Sequence, residues 1–393
     1  MSPVATTPIV AKSPVRAVGN GIHHVDANGS AQADAQAVDK PISYDINLPY
    51  INATSEEKAR LERGTPYPQY LPTWDPIWFD PLPPFSFDDP ALRADPAMPH
   101  LLKGDPKLSE ITPRMGTFIE GVNLASLSDA AKDELALLVS QRKIVAFPAQ
   151  DAFLDLGPTA QQEWMNHFGK PNYQPVSGSL KGQPGFHIIH RDGNKAELDA
   201  FFSQKTTSCL WHQDVSYERQ PPGYVMLGLL QGPKVGGDTV FAATDEAYKR
   251  LSPTFRSMLD KIKATHSSAN MITHTRALGG LVRKDPVTFT HPLVRVHPVT
   301  RERCIFINGE FITGFQGMKT PEFKAITDFL LNHITIGHDF QARVRWQPKT
   351  IVIFDNRSTL HSAIVDYVDG ETGAQPRHIF RLAAMAEVPV AVA

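Results

Sequence analysis

The sequence predicts a mostly β fold with flanking helices, on three observations. Short apolar runs of strand length recur, such as Lys143 to Phe147, Gly223 to Leu230 and Ile351 to Phe354. Amphipathic helical segments separate some of them, but without the strict alternation that would indicate a doubly wound parallel sheet. A hydrophobic content of 41% over 393 residues is ample for a packed core of one large domain or two ordinary ones.

Residues 1–45 are Ala, Ser, Gly, Asp and Val with neither a helical nor a strand period, and are expected to be a disordered tail. Residues 46–108 are expected to form an extended arm. Proline is dense from 64 to 100, which excludes helix and sheet interior. Tyr67, Tyr70, Trp74, Trp78, Phe79, Phe85 and Phe87 are interleaved with it, and rings at that density are expected to pack on the main domain or on a neighbouring subunit. The globular domain is assigned to 109–393. Ser128 predicts a helix cap, with Leu135, Leu138 and Val139 on one face. Pro158 predicts a second helix, with Trp164 and Phe168 on one side and Gly169 at its end. Ser252-Pro253 opens another, with Phe255, Met258, Leu259 and Ile262 inward, and Thr320-Pro321 a fourth, with Phe323, Ile326 and Leu330. Leu293 to His297, Cys304 to Asn308 and His378 to Ala383 read as further strands, the first two about a turn at Thr300-Arg301.

A net charge of −2 gives no reason to expect nucleic acid or an anionic membrane surface as partner. No apolar run approaches the roughly 20 residues that span a bilayer. Two cysteines argue against a disulfide framework. The N-terminus lacks the apolar core of a secretory signal and carries few arginines for a transit peptide, so a cytoplasmic location is expected.

One stretch organises the chemistry: Trp211-His212-Gln213-Asp214-Val215-Ser216-Tyr217. In an extended strand, residues two apart share a face, so His212 and Asp214 can reach one point. They supply two-thirds of the two-His-one-carboxylate set that holds non-haem Fe(II) with three positions open. His190-Arg191-Asp192 has the same spacing but none of the surrounding context. The third ligand is sought after the most apolar strand, where Asp355-Asn356-Arg357 and then His361 follow Phe354. Gly236-Gly237-Asp238-Thr239 offers close backbone approach and a hydroxyl. Arg377 and Arg381, four apart in a strand, would face one way and suit anionic groups, or else form surface ion pairs.

In order and spacing these pieces, with Pro221-Pro222-Gly223, His291 to Thr300 and Arg345-Trp346-Gln347-Pro348, resemble the Fe(II)- and 2-oxoglutarate-dependent dioxygenases that include taurine and phenoxyacetate dioxygenases. The arm segment Tyr70 to Pro76 is most similar to the fungal sulfonate dioxygenases. The resemblance implies a double-stranded β-helix, or jelly roll, of the cupin-like kind. It implies Fe(II), 2-oxoglutarate and O2 as cofactors, with His212, Asp214 and His361 on the metal. Thr239 and Arg377 would hold the distal carboxylate of 2-oxoglutarate. Arg381 would lie near its other carboxylate and the substrate head, which the Val215 amide would also bind. Trp211, Trp346 and Cys209 are expected to pack. The positions that carry His and Tyr in the taurine enzyme are Gln174 and Ser177 here, which implies a wider and less electropositive pocket. The expected substrate is a small organic anion, a sulfonate such as taurine or a bulkier analogue, released as sulfite and aldehyde beside succinate and CO2. The alternative is the same oxygenase chemistry on an aryloxy acid, a purine or a secondary-metabolite intermediate. A barrel that binds without turnover, or that holds zinc, is disfavoured because the cosubstrate anchors are intact. A dimer or tetramer is expected.

Overall fold

A computed structural model describes residues 64–191, 210–277, 279–367 and 376–393. The tail at 1–45, the first part of the arm and Cys209 lie outside the described residues.

The largest sheet is built from β1 (Lys107–Glu110), β2 (Thr117–Glu120), β3 (Ile144–Phe147), β4 (Lys170–Pro171), β5 (Phe186–Arg191) and β6 (Pro222–Gln231), and takes later strands into its middle. Three smaller sheets use β7 (Thr239–Ala243), β8 (Lys263–Ser267), β9 (Thr288–Pro292), β10 (Val294–Val296), β11 (Arg303–Ile305), β12 (Ile312–Phe315) and β13 (Gln341–Val344). The chain closes with β14 (Ile351–Asp355), β15 (Thr359–Ala363), β16 (Arg377–Met385) and β17 (Val390–Ala391). In the large sheet the order is β1-β2-β3-β14-β6-β16-β4, with β5 also paired to β16. The others run β13-β7-β15, β12-β8-β9 and β11-β10-β17. Only β2 and β3 pair in parallel among the described ladders.

The middle strands of the large sheet are buried on both faces, which is why they read as unbroken apolar runs rather than alternating ones. Alternate residues serve two cores. Ile144, Ala146, Val352, Phe354, Ile379 and Ala383 enter one, and Val145, Phe147, Ile351, Ile353, Phe380 and Leu382 the other. The sheet carrying β7 packs on the first core, where Phe241 meets Phe354 edge-to-face at 5.2 Å.

Helix ends follow their capping residues. The Ser128 hydroxyl accepts from the Ala131 amide and starts the helix Asp129–Arg142. Lys143, at φ 68°, ends it. The helix Gly157–Met165 continues as a 3-10 turn to Phe168. Gly169 stops it at φ 150°, where a Cβ would lie 2.3 Å from the Met385 carbonyl oxygen. Ser252 caps Pro253–Leu259, and Leu259 and Ile262 are buried. Met258, expected to face inward, is 37% exposed. Neighbours on a helix point about 100° apart, and Leu259 takes the core direction. The helix Thr320–Thr335 buries Leu330 and Ile334.

The described part of the arm lies along this chain. Thr73 and Ser179 exchange backbone hydrogen bonds of 2.7 and 3.0 Å. Tyr70 stacks on Phe380 at 5.7 Å and donates to Gln161. Phe79 stacks on Tyr173 at 4.9 Å. Asp89 reaches deepest, pairing with the fully buried Arg357. Trp78 stays half exposed.

Candidate active site

His212 and Asp214 do not share an extended strand. His212 forms a single antiparallel bridge with His361, by amide-to-carbonyl bonds of 3.1 and 2.9 Å in the two directions. The chain then turns at once, with Val215 at φ 39° and its carbonyl accepting from the Glu218 amide. Two asparagines hold the turn. Asn356 accepts from the Asp214 amide at 2.8 Å and donates to the Asp214 carbonyl at 3.2 Å. Asn308 donates to the Gln213 carbonyl at 2.6 Å. His361 sits on β15 with its ring between Phe241 and Phe354. The bridge and the turn, rather than strand parity, aim the three side chains at one point.

At that point one ligand atom from each of His212, Asp214 and His361 lies within 4.8 Å of the others. Asp214 Oδ1 is 3.7 Å from His212 Nε2 and 3.9 Å from His361 Nε2. His212 Nδ1 is 2.8 Å from the Leu210 carbonyl, to which it donates, so the Nε2 lone pair faces the site. Burial, then the nearby His212, hold the His361 imidazolium down to about 3, so the ring is neutral at pH 7. Burial works against the Asp214 carboxylate, but the Arg381 guanidinium, with His361 and His212, outweighs it and the group is held below the usual range. Asp214 Oδ2 is buried without a hydrogen-bond partner among the described residues. Two imidazoles and one carboxylate with an open oxygen are a donor set suited to Fe(II).

Arg377 and Arg381 point to one face of β16, with Ile379 and Ala383, as strand parity requires. Arg381 donates to Asp214 Oδ1 at 2.6 Å. Arg377 donates from Nε to the Gly237 carbonyl at 2.9 Å. Gly237 is at φ 68°, and a Cβ there would press on the Arg377 side chain at 3.2 Å, which accounts for the glycine pair. Thr239 is buried at the start of β7. Trp346 does more than pack: its Nε1 donates to Thr239 Oγ1 at 3.1 Å and leaves the hydroxyl hydrogen free to donate elsewhere.

The family model "Taurine catabolism dioxygenase TauD, TfdA family" matches residues 107–383. The chain belongs to the TauD/TfdA family. It is accordingly a 2-oxoglutarate-dependent non-haem iron dioxygenase, with Fe(II), 2-oxoglutarate and O2 as cofactors. It is 42% identical over 329 residues to an alpha-ketoglutarate-dependent sulfonate dioxygenase of Saccharomyces cerevisiae, covering 82% of this chain and 79% of that one. To the alpha-ketoglutarate-dependent dioxygenase cnsM of Penicillium expansum it is 38% identical, over 83% and 91% of the two chains. The crystal structure of a taurine dioxygenase from Burkholderia xenovorans superimposes with a TM-score of 0.59 at 25% identity, over 73% of this chain and 91% of that one. No described helix is long and apolar enough to cross a membrane.

The other residues singled out in the sequence sit in this TauD-type framework as follows. Gln174 is buried with its amide donating to Asn172 at 2.7 Å. Ser177 is buried, and its carbonyl accepts from the Arg283 guanidinium. Val215 is buried in the Asp214 turn. The rival His190 points away, buried against His378 at 4.7 Å, and Asp192 lies outside the described residues.

One residue escaped the sequence reading. His187 of β5 stands opposite Arg381 in the β5–β16 register. Its Nδ1 is buried without a hydrogen-bond partner among the described residues. Burial, then Arg381, hold its imidazolium well below the ordinary value, and Asp214, Arg283 and His212 also act on it. The strand Phe-His-Ile-Ile-His-Arg alternates between fully and partly buried positions. The residue types do not follow that alternation, since Ile189 is partly buried and His190 buried, so the sequence does not say which face meets the site. Pairing with β16, nearly two hundred residues later in the chain, decides that.

Proposed function

We propose that the chain hydroxylates a sulfonate at the carbon beside sulfur. The observation that carries the reading is the convergence of the partly exposed His212 with the buried His361 and Asp214, which keeps an open carboxylate oxygen. The identity to a sulfonate dioxygenase supports the substrate class. The reading includes a double-stranded β-helix made by the β14-bearing and β7-bearing sheets, a cytoplasmic location and a homo-oligomer.

His212 Nε2, His361 Nε2 and the Asp214 carboxylate would hold the iron. When bound, the iron supplies oxygen activation coupled to conversion of 2-oxoglutarate into succinate and CO2, with hydroxylation of a substrate C–H. Arg377, anchored on Gly237, and the Thr239 hydroxyl, oriented by Trp346, would bind the distal carboxylate of the cosubstrate. Arg381, beside Asp214, would face the other carboxylate and the sulfonate head, with the Val215 amide as second donor. Gln174 and Ser177 would line the substrate side. The cores on either side of the sheet exclude water from these groups, which strengthens each charged contact. The α-hydroxysulfonate so formed loses sulfite as its C–S bond breaks and its hydroxyl proton leaves, giving the aldehyde.

The test is incubation of the iron-loaded protein with 2-oxoglutarate and a panel of sulfonates, reading succinate and sulfite together. Equal amounts of both are expected. Succinate without sulfite, coupled to a carboxylate or a purine instead, would replace the sulfonate reading. Within the panel taurine should lose in competition to a longer or aromatic sulfonate, and Gln174→His should raise taurine turnover by restoring a donor that can carry charge. A win for taurine by more than about tenfold would make the residues at 174 and 177 irrelevant to selection.

A further inference from the structure

Arg283 is 1% exposed, and no carboxylate of the described residues lies within ion-pairing distance of it. Two other fully buried guanidinium groups carry acids: Arg357 has Asp355 and Asp89, and Arg295 has Glu387. The adjacent Lys284, equally buried, has Glu218. Arg283 instead spends its two terminal nitrogens on neutral oxygens, Ser179 Oγ at 3.0 Å and the Ser177 carbonyl. Its Nε has no hydrogen-bond partner among the described residues. Asp75 of the arm is the one acid that acts on it, from beyond ion-pair range. A buried cation left without a counter-charge is strongly disfavoured unless an anion arrives from elsewhere.

The position of Arg283 says which anion. His187 stands opposite Arg381 in the β5–β16 register, and the next residue of β5, Ile188, donates its amide to the Gly178 carbonyl at 3.3 Å, between the two serines that Arg283 contacts. His187 therefore neighbours Arg381 across the strand ladder and, through the adjoining Ile188, the segment 177–179 on which Arg283 is anchored. Its Nδ1, buried and without a partner, belongs to the same stretch. Through Ser177, Arg283 is also tied to the segment assigned to the substrate.

We propose that Arg283 and His187 form a second anion subsite beyond Arg381, and that the substrate is a two-ended dianion. One sulfonate would sit at Arg381, and a second acidic group, sulfonate or carboxylate, at Arg283. The dianion rests on the proposed sulfonate reading for its first group. A zwitterion such as taurine would bring its ammonium against a buried guanidinium, so this subsite would disfavour taurine without any steric argument.

The experiment is calorimetric binding to the full-length protein loaded with iron and 2-oxoglutarate without oxygen, using propane-1,3-disulfonate and propane-1-sulfonate as probes. The disulfonate should bind at least tenfold tighter. Arg283→Gln should remove that ratio while propane-1-sulfonate still binds, and Arg283→Lys should restore part of it. His187→Phe should reduce the ratio severalfold. Thermal unfolding of each variant reports folding separately. A purely structural Arg283 would weaken both probes equally and leave the ratio unchanged, which overturns the proposal. Equal binding of the two probes to the unmodified protein overturns it as well. Sulfite release from monosulfonates is read in parallel, so that the sulfonate reading can stand when the dianion subsite falls, and a bound disulfonate without sulfite marks the reverse.

Discussion

Two buried aspartates, Asp214 and Asp355, stand on either side of Asn356, which hydrogen-bonds the backbone of the first and follows the second in the chain. Both are held below the ordinary carboxylate range: burial opposes this, and a neighbouring arginine outweighs it, Arg381 for one and Arg357 for the other. They differ in what is left over. Both oxygens of Asp355 are occupied, Oδ1 by the Arg357 amide and Nε and Oδ2 by His297 and the Arg357 Nη2. Asp214 gives Oδ1 to Arg381 and keeps Oδ2 free. Burial and charge alone do not separate a structural acid from a functional one. In this pair the difference is the unspent oxygen together with the two imidazole nitrogens that share its site.

That contrast is open to attack by substitution. The largest effect is expected from Asp214→Ala or His361→Ala: 2-oxoglutarate turnover at saturating iron should fall below about a tenth, with the thermal midpoint little changed. Residual activity above that level would break the assignment of the triad. Asp355→Ala should do the opposite. It leaves Arg357 and His297 facing an emptied site, and urea unfolding should show a loss of about 3–5 kcal/mol. An unchanged midpoint would mean that Asp355 is not the structural member of the pair. Arg377→Ala should raise the 2-oxoglutarate Michaelis constant at least about tenfold, with iron affinity nearly unchanged, since truncating a buried charge partner costs roughly 2–5 kcal/mol. An unaltered constant would move the anchor elsewhere, with Arg381 the first suspect.

A further effect concerns pH. Burial holds His266 and His378 down to about 3, and His190 and His291 down to about 4, against an ordinary 6.5. In the unfolded chain these rings take up protons as pH falls through 6.5, while in the folded chain they stay neutral until far lower. The unfolded state therefore binds more protons, and stability present above pH 6.5 declines as pH falls from there towards 4. The aspartates add little to the first part of that decline, because near pH 6 they are ionised in both states. Urea midpoints at pH 7.5 and 5 check this, and a higher midpoint at 5 would contradict it.

What the sequence revealed was local, and what it concealed was long-range. Ser128 and Ser252 marked helix starts because a cap acts within one turn. Arg377 and Arg381 shared a face because strand parity needs no partner. His212 and Asp214 were legible as a pair, yet the geometry that joins them comes from the bridge to His361 and the clamps at Asn308 and Asn356. His187 and Arg283 were invisible: each acquires meaning only from segments far away in the chain, Arg381 for one and Ser177 and Ser179 for the other. The same holds for the arm, whose proline density excluded regular structure without saying where the rings would land.

The contact between Asp89 and Arg357 also sets an order of events during synthesis. The two residues are 268 positions apart. A ribosome adding about 5–20 residues per second needs roughly 13–54 s to cross that interval. The arm emerges early, with Tyr70 and Phe79 on it, and its carboxylate has no guanidinium to meet until nearly the whole chain is made. That ion pair must then be among the last contacts to form, although Tyr70, Thr73 and Phe79 can meet Gln161, Ser179 and Tyr173 well before Arg357 is made, so the arm docks in two stages.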